Sequence, residues 1–168
     1  MVSNGLFWKQ AKQSVSPGDG HCLLHSIVHS MESQLQPPVK LTVKGLLDSM
    51  HLELIHNKEY YLPFTVDHDM SKLLEGFHAY AKDKMYDSSF GDMAPCIIAN
   101  ALQICLIVVI ENDADYDVRV INPIMNENDH KMNLSCLFVH KRNAHYNAII
   151  PQTPKKCMFS QSHGNSGS

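Results

Sequence analysis

The chain has 168 residues, of which 44% are hydrophobic and 18% are charged. A chain of this length typically forms one domain, and its apolar content excludes a disordered or collagen-like polypeptide. With 14 basic and 17 acidic side chains the formal net charge is −3, so the basic surplus typical of nucleic-acid binders is missing. Five cysteines without a CxxC pair, and an N-terminus without an apolar signal segment, predict a protein of a reducing compartment.

The distribution of apolar residues divides the chain into three parts. Residues 1–14 are expected to be a loose lead-in, residues 15–151 a folded domain, and residues 152–168 a flexible polar tail. The folded domain itself changes character halfway, from helical periodicity to strand-like runs.

Four helices are predicted in the first half of this domain. Apolar residues at helical spacing follow a glycine-rich turn and mark the buried stripe of the first helix. Thr42 is the predicted N-cap of the second helix, and Asp67 or Asp69 that of the third. The fourth helix is expected to begin near Asp92, because Pro95 would then lie in its first turn, where proline is tolerated.

The second half predicts strands. Ile104–Glu111 is continuously apolar, as in a strand covered on both faces, and Tyr116–Asn122, Leu134–His140 and His145–Ile150 follow it. Met93–Ile110 carries no formal charge and approaches the length of about 20 residues that spans a bilayer. Its change from helical to strand-like character favours a helix followed by a buried strand, so no membrane association is expected. Helices followed by strands predict an α+β fold with a small, largely antiparallel central sheet.

The most informative segment is the turn Gly18-Asp19-Gly20-His21 with the cysteine that follows it. Glycines allow a tight turn that directs several N–H groups toward one point. A thiol in the first turn of a helix lies at the positive end of the helix dipole, which favours the thiolate. Cys22 is therefore a candidate nucleophile, and Gly18, Gly20 and His21 form a candidate oxyanion loop. The simpler alternative is that Cys22 is a buried structural thiol.

A candidate base lies at the start of the last predicted strand. Alternation along a strand puts His145 and Asn147 on one face and Tyr146 on the other. The amide oxygen of Asn147 could accept from one imidazole nitrogen and leave the other free for Cys22. An early cysteine with a late histidine and asparagine is also the chain order of papain-like proteases. The alternative is that His145 is an ordinary residue at a hairpin end.

Both ends of the domain resemble the signature motifs of OTU (ovarian tumour) domain cysteine proteases. The matching residues are Asp19-Gly20-His21-Cys22-Leu23 with Ser26, Phe90-Gly91-Asp92 in the middle of the chain, and His145-Tyr146-Asn147. The resemblance implies a papain-like fold with helices packed around the sheet. It also implies a deubiquitinase that hydrolyses isopeptide bonds at the C-terminal glycine of ubiquitin or a ubiquitin-like protein through a thioester, with no metal or cofactor.

The resemblance also assigns roles to single residues. Cys22 corresponds to the nucleophile, His145 to the general base, Asn147 to the residue that orients the base, and Asp19 to the loop residue that shapes the oxyanion hole. The implied partners are ubiquitin or ubiquitin-like conjugates. The protein is expected to be a monomer in the cytoplasm or nucleus, or in the host cytosol if it comes from a virus or another pathogen.

Two groups of side chains are candidates for substrate contact. Tyr146 and Phe90 are candidate walls of the channel for the ubiquitin tail, with core packing as the alternative. An acidic cluster could attract the basic end of ubiquitin, although a solvated turn is the simpler interpretation. This cluster consists of Glu111, Asp113, Asp115 and Asp117.

Other functions remain open at this point. A catalytically silent ubiquitin-binding module would keep the fold, and a papain-like peptidase would cleave ordinary peptides by the same chemistry. A structural zinc site would have to combine the pair Cys22 and His25 with the pair Cys136 and His140. The last two residues are four apart on one strand, about 13 Å, which is too far to bind one ion easily.

Overall fold

The structure, a computed structural model, describes residues 12–65, 68–85, 88–113, 115–125 and 134–150. Its helices are α1 (Cys22–Gln34), α2 (Val43–His56), α3 (Lys58–Tyr61), α4 (Met70–Asp83) and α5 (Ser88–Leu102). Its strands are β1 (Lys12–Ser14), β2 (Cys105–Glu111), β3 (Tyr116–Ile121), β4 (Cys136–Arg142) and β5 (His145–Ile150). The candidate tail and most of the lead-in lie outside the described residues.

The strands form one sheet in the order β1-β5-β4-β2-β3. β2 and β4 run parallel, whereas the pairs β1–β5, β4–β5 and β2–β3 are antiparallel. The predicted α+β class and the largely antiparallel sheet are therefore confirmed. β1 was not predicted, since it lies within the expected lead-in.

Two predicted helix caps are present. The side chain of Thr42 accepts a hydrogen bond from the backbone N–H of Gly45, and that of Asp69 accepts one from Ser71. Each bond satisfies one of the N–H groups that a helix start leaves without an intrahelical partner. Asp67, the other candidate cap of α4, lies outside the described residues.

The predicted start of the fourth helix was wrong. α5 begins at Ser88 rather than near Asp92, and Pro95 lies inside it. Phe90, in the first turn, is 2% exposed and its ring lies 5.9 Å from that of Phe77 on α4. Burial of this ring stabilises the additional turn and offsets the backbone hydrogen bond that a proline inside a helix removes.

The uncharged segment Met93–Ile110 is divided between α5 and β2, as its change of character predicted. Along the described ranges, no helix combines the length and apolarity that crossing a bilayer requires. β2 is buried over most of its length, in agreement with the expectation of a strand covered on both faces.

The main core lies between the helices and one face of the sheet. The buried sheet residues on this face include Leu106, Val108, Leu137, Val139 and Tyr146. α1 packs chiefly on β5 and β4, and Gln34 at its end bonds to the backbone of Phe138 and Ile149. These contacts fix α1 along the hairpin, so the first turn of α1 lies beside the start of β5.

Candidate active site

Cys22 is the first residue of α1 and contacts the hairpin that carries His145. The backbone N–H of Tyr146 donates to its Sγ at 3.5 Å, and Sγ lies 4.0 Å from the carbonyl oxygen of Ala144. These two backbone groups flank His145 in sequence. The structure therefore brings together the two motifs, which lie more than 120 residues apart.

The helix start around Cys22 favours an anion. No side chain caps α1, and the N–H groups of its first turn have no acceptor within the helix. As the first residue of α1, Cys22 lies at the positive end of the helix dipole. It is only 9% exposed, so little solvent screens that dipole at the sulfur. The unpaired N–H groups of this turn can stabilise the negative charge that develops on a carbonyl oxygen during attack by the sulfur.

His145 and Asn147 lie on the same face of β5, as the alternation predicted. Within the described ranges, no hydrogen bond joins the His145 imidazole to Cys22 or to Asn147. Instead, the side-chain oxygen of Asn147 accepts from the backbone N–H of Ser16 at 3.2 Å. Catalytic hydrogen bonds are often long in the free enzyme and tighten when substrate binds.

Asn147 is connected to Cys22 through two serines. The hydroxyl of Ser26 donates to the carbonyl of Cys22 at 2.7 Å, which leaves Ser16 as the donor to Ser26 at 2.8 Å. Ser16 and Ser26 are both buried. Sequence reasoning missed Ser16, because nothing in its local pattern distinguishes it from an ordinary loop serine.

Asp19 is held in its charged form by three donors. Its carboxylate bonds to Lys84 Nζ at 2.7 Å, to the backbone N–H of His21 at 3.1 Å and to His25 Nε2 at 3.3 Å. The bond from Lys84 makes the largest contribution and holds the pKa of Asp19 well below its usual range, although partial burial opposes the shift. Asp19 therefore ties the candidate oxyanion loop to the end of α4. Lys84 was not predicted, because its sequence separation from Asp19 gives no local signal.

Replacing Lys84 with methionine should raise the pKa of Asp19. Because the folded pKa lies below the unfolded value of about 3.9, the ion pair contributes stability above that pH, and this contribution is lost as the pH falls further. The free energy of unfolding should therefore be lower in the variant near neutral pH, and the difference from wild type should shrink below about pH 4. Urea unfolding across this range measures the effect. Lys82→Met, an exposed change on the same helix, is the control, and a pH-independent difference for Lys84→Met would contradict the assignment.

The candidate oxyanion loop is fixed against the end of α4. Gly20 has φ +85° and its Cα faces the carbonyl of Lys84, which would lie 2.1 Å from an added Cβ. His21 is buried, and its Nε2 lies 2.6 Å from the carbonyl oxygen of Tyr80. Gly18 has open space around it. The N–H of His21 is bonded to Asp19, whereas the N–H groups of the first turn of α1 have no acceptor within the helix and are candidate oxyanion donors.

The two candidate channel residues lie in the core. Phe90 packs on α4, and Tyr146 is 3% exposed on the face of β5 opposite His145. The Tyr146 ring lies under Lys141 Nζ at 5.3 Å and borders a small cavity with Asp92 and Arg119. Strand alternation explains the position of Tyr146, and aromatic packing explains that of Phe90, so their burial does not fit a role as channel walls.

The acidic cluster and the cysteine–histidine pairs were the other candidates. Glu111 is directed to His140 Nε2 at 2.8 Å and to Arg142 at 3.7 Å, so its charge is largely paired within the sheet. Among the residues that the structure describes, no group of three or more His, Cys, Asp or Glu side chains is arranged to hold a metal ion.

Comparisons with known proteins agree with the motifs. The family described as OTU-like cysteine protease matches residues 17–146. No curated protein matches the chain. Among solved structures, the OTU domain of OTUD1 is 11% identical with a TM-score of 0.62, covering 84% of this chain and 87% of that one.

Two further solved structures are similar. The viral OTU domain protease from Taggert virus is 18% identical, with a TM-score of 0.57 over 87% of this chain and 83% of that chain. An OTU deubiquitinase from Wolbachia pipientis wMel, solved bound to ubiquitin, is 15% identical with a TM-score of 0.55 over 85% of this chain and 97% of that chain. At these identities the likeness shows a shared fold.

Proposed function

Since the chain belongs to the OTU-like cysteine protease family, we propose that it is a deubiquitinase that cleaves isopeptide bonds at the C-terminal glycine of ubiquitin or a ubiquitin-like protein. The observation that carries the proposal is the contact of Cys22 Sγ with the backbone on both sides of His145. A sulfur at an uncapped helix start, next to an imidazole-bearing strand, has the parts that nucleophilic acyl transfer needs.

In the first step, the Cys22 thiolate attacks the carbonyl carbon of the terminal glycine. A carbon–sulfur bond forms, and the negative charge that develops on oxygen is stabilised by N–H groups of the first turn of α1. His145, as imidazolium, donates its proton to the lysine amine as the carbon–nitrogen bond breaks. The product of this step is a thioester on Cys22 and a free lysine side chain.

In the second step, His145 takes a proton from water as the water oxygen attacks the thioester. The carbon–sulfur bond then breaks and restores the Cys22 thiolate, and the terminal glycine leaves as a carboxylic acid that releases its proton to solvent. Asn147 orients the imidazole through its side-chain oxygen, which has a second lone pair beyond the one used by Ser16. Asp19 keeps the oxyanion loop in place through Lys84 and His21.

Ubiquitin with an electrophile in place of its C-terminal carboxylate tests nucleophile and partner together. We expect one covalent adduct, mapped by mass spectrometry to Cys22, because the electrophile occupies the position of the scissile carbonyl. Prior treatment with iodoacetamide should prevent the adduct. Ubiquitin binding without an adduct would favour the silent module instead, and an adduct on another cysteine would contradict the assignment of the nucleophile.

A further inference from the structure

A second polar pair lies on the face of the sheet that carries His145 and Asn147. His140 on β4 is 1% exposed, and its Nε2 lies 2.8 Å from a carboxylate oxygen of Glu111 at the end of β2. The other carboxylate oxygen of Glu111 lies 3.7 Å from Arg142. The candidate mechanism uses none of these three side chains.

The other ring nitrogen of His140 is unsatisfied. Nδ1 is buried and has no hydrogen-bond partner among the residues that the structure describes. Because Nε2 faces a carboxylate oxygen at 2.8 Å, the tautomer that suits this contact has its proton on Nε2, and in that tautomer Nδ1 is an acceptor. A buried acceptor without a donor costs about 1–3 kcal/mol, so its retention calls for a partner in some state of the protein.

The residue opposite His140 in the β4–β5 ladder is Asn147. Directly opposed residues of an antiparallel pair have Cβ atoms about 4.5–5.5 Å apart on the same face. The N–H of Ser16 is bonded to the amide oxygen of Asn147, which leaves the amide NH₂ group as the donor. Asn147 therefore offers the type of group that Nδ1 of His140 needs.

We propose that Glu111 and His140 are positioning residues that fix the orientation of the Asn147 amide. Glu111 holds the His140 ring with Nδ1 as an acceptor, and in the catalytically competent state Nδ1 takes a hydrogen bond from the Asn147 NH₂ group. Ser16 and His140 then bind opposite ends of one amide, so its oxygen and not its nitrogen faces His145. This inference rests on the role of Asn147 in the proposed function.

Two substitutions of His140 separate its two nitrogens. In His140→Asn, a carbonyl oxygen takes the position of Nδ1, so the acceptor for Asn147 is kept. In His140→Gln, the longer amide supplies a donor to Glu111 in place of Nε2 and leaves nothing at Nδ1. The readout is the rate at which iodoacetamide alkylates Cys22 at about pH 6, where a free thiol is almost entirely protonated.

His140→Gln should lower this rate about threefold to tenfold, the loss that corresponds to one net hydrogen bond. His140→Asn should stay within about twofold of wild type. In an Asn147→Ala background, His140→Gln should cause no further loss, since the two residues act through one contact. Thermal unfolding of each variant confirms that the compared proteins are folded.

The inference would be overturned if folded His140→Gln were alkylated at the wild-type rate. It would also be overturned if His140→Gln lowered the alkylation rate as much in the Asn147→Ala background as in wild type. If His140→Gln does not fold, the His140→Asn variant provides the test of the inference. Asn147→Ala should then lower the alkylation rate by the same factor in the His140→Asn background as in wild type. If Asn147→Ala has no effect on the rate in that background, the inference is overturned. The assay contains no ubiquitin, so it also separates the two proposals. If wild-type Cys22 reacts no faster than a peptide thiol, both fail, whereas an activated Cys22 that is indifferent to His140 overturns only this inference.

Discussion

Replacing Cys22 with alanine should abolish hydrolysis of a fluorogenic amide at the ubiquitin C-terminus. In the proposed mechanism the thiolate forms the covalent intermediate, and loss of a nucleophile from a comparable triad costs about a million-fold in rate. The fold should persist, because Cys22 is a small residue at a helix start and its replacement removes one sulfur. Affinity for ubiquitin, measured by calorimetry, should change little, since binding does not need the covalent step.

Cys96→Ala is the matched control for this experiment. Cys96 is a half-buried cysteine on α5, and its replacement should leave turnover at the wild-type level. Normal turnover by Cys22→Ala would be incompatible with the proposed mechanism. Loss of turnover in both variants would indicate a general effect on folding.

Replacing Gly20 with alanine should cause a large loss of stability and of activity. An alanine there would have to adopt φ near +85°, and its Cβ would lie 2.1 Å from the carbonyl oxygen of Lys84. The left-handed backbone costs about 1–2 kcal/mol and the steric overlap about 1–3 kcal/mol more. We therefore expect Gly20→Ala to lower the free energy of unfolding by about 2–5 kcal/mol and to displace the loop that precedes Cys22, with loss of activity.

Gly18→Ala supplies the comparison within the same loop. No atom lies within 4 Å of a Cβ added at Gly18. The free energy of unfolding of Gly18→Ala should stay within about 0.5 kcal/mol of the wild-type value, as for most surface substitutions. Urea unfolding and turnover should both be measured for the two variants. Equal effects at Gly18 and Gly20 would show that the contact with Lys84 does not determine the loop conformation.

Local patterns predicted most of the helices and strands. The caps at Thr42 and Asp69 and the apolar run of β2 are signals contained within a few residues. β1 gave no such signal, because Lys12–Ser14 is short and polar and pairs only because β5 offers a free edge. Tyr116–Asn122 was correctly predicted as a strand, yet Val118 and Val120 are 51% and 56% exposed, since an edge strand is covered less than a central one.

The part of the candidate site that could be predicted from the sequence is the pair of motifs that contain Cys22 and His145. Cys22 Sγ contacts the backbone on both sides of His145, so the two motifs meet in the fold, while the catalytic roles of the two residues stay predictions. The contacts that support them could not be predicted, because Ser16, Lys84 and His140 acquire their partners only through tertiary packing. Phe90 lies within a motif, but the structure places its ring in the core, where it packs on Phe77 and Tyr80 of α4. A match to a motif therefore did not predict substrate contact at this position.

The pairing of Cys22 with the start of β5 has a consequence for the order of events during synthesis. The segment that becomes α1 leaves the ribosome early, whereas the strand with the imidazole is the last described element to follow. Until that final hairpin closes, the sulfur has neither its proposed base nor the backbone groups that surround it. Under the proposed function, a nascent chain would therefore be unable to attack neighbouring conjugates, and its activity would arise together with completion of the sheet.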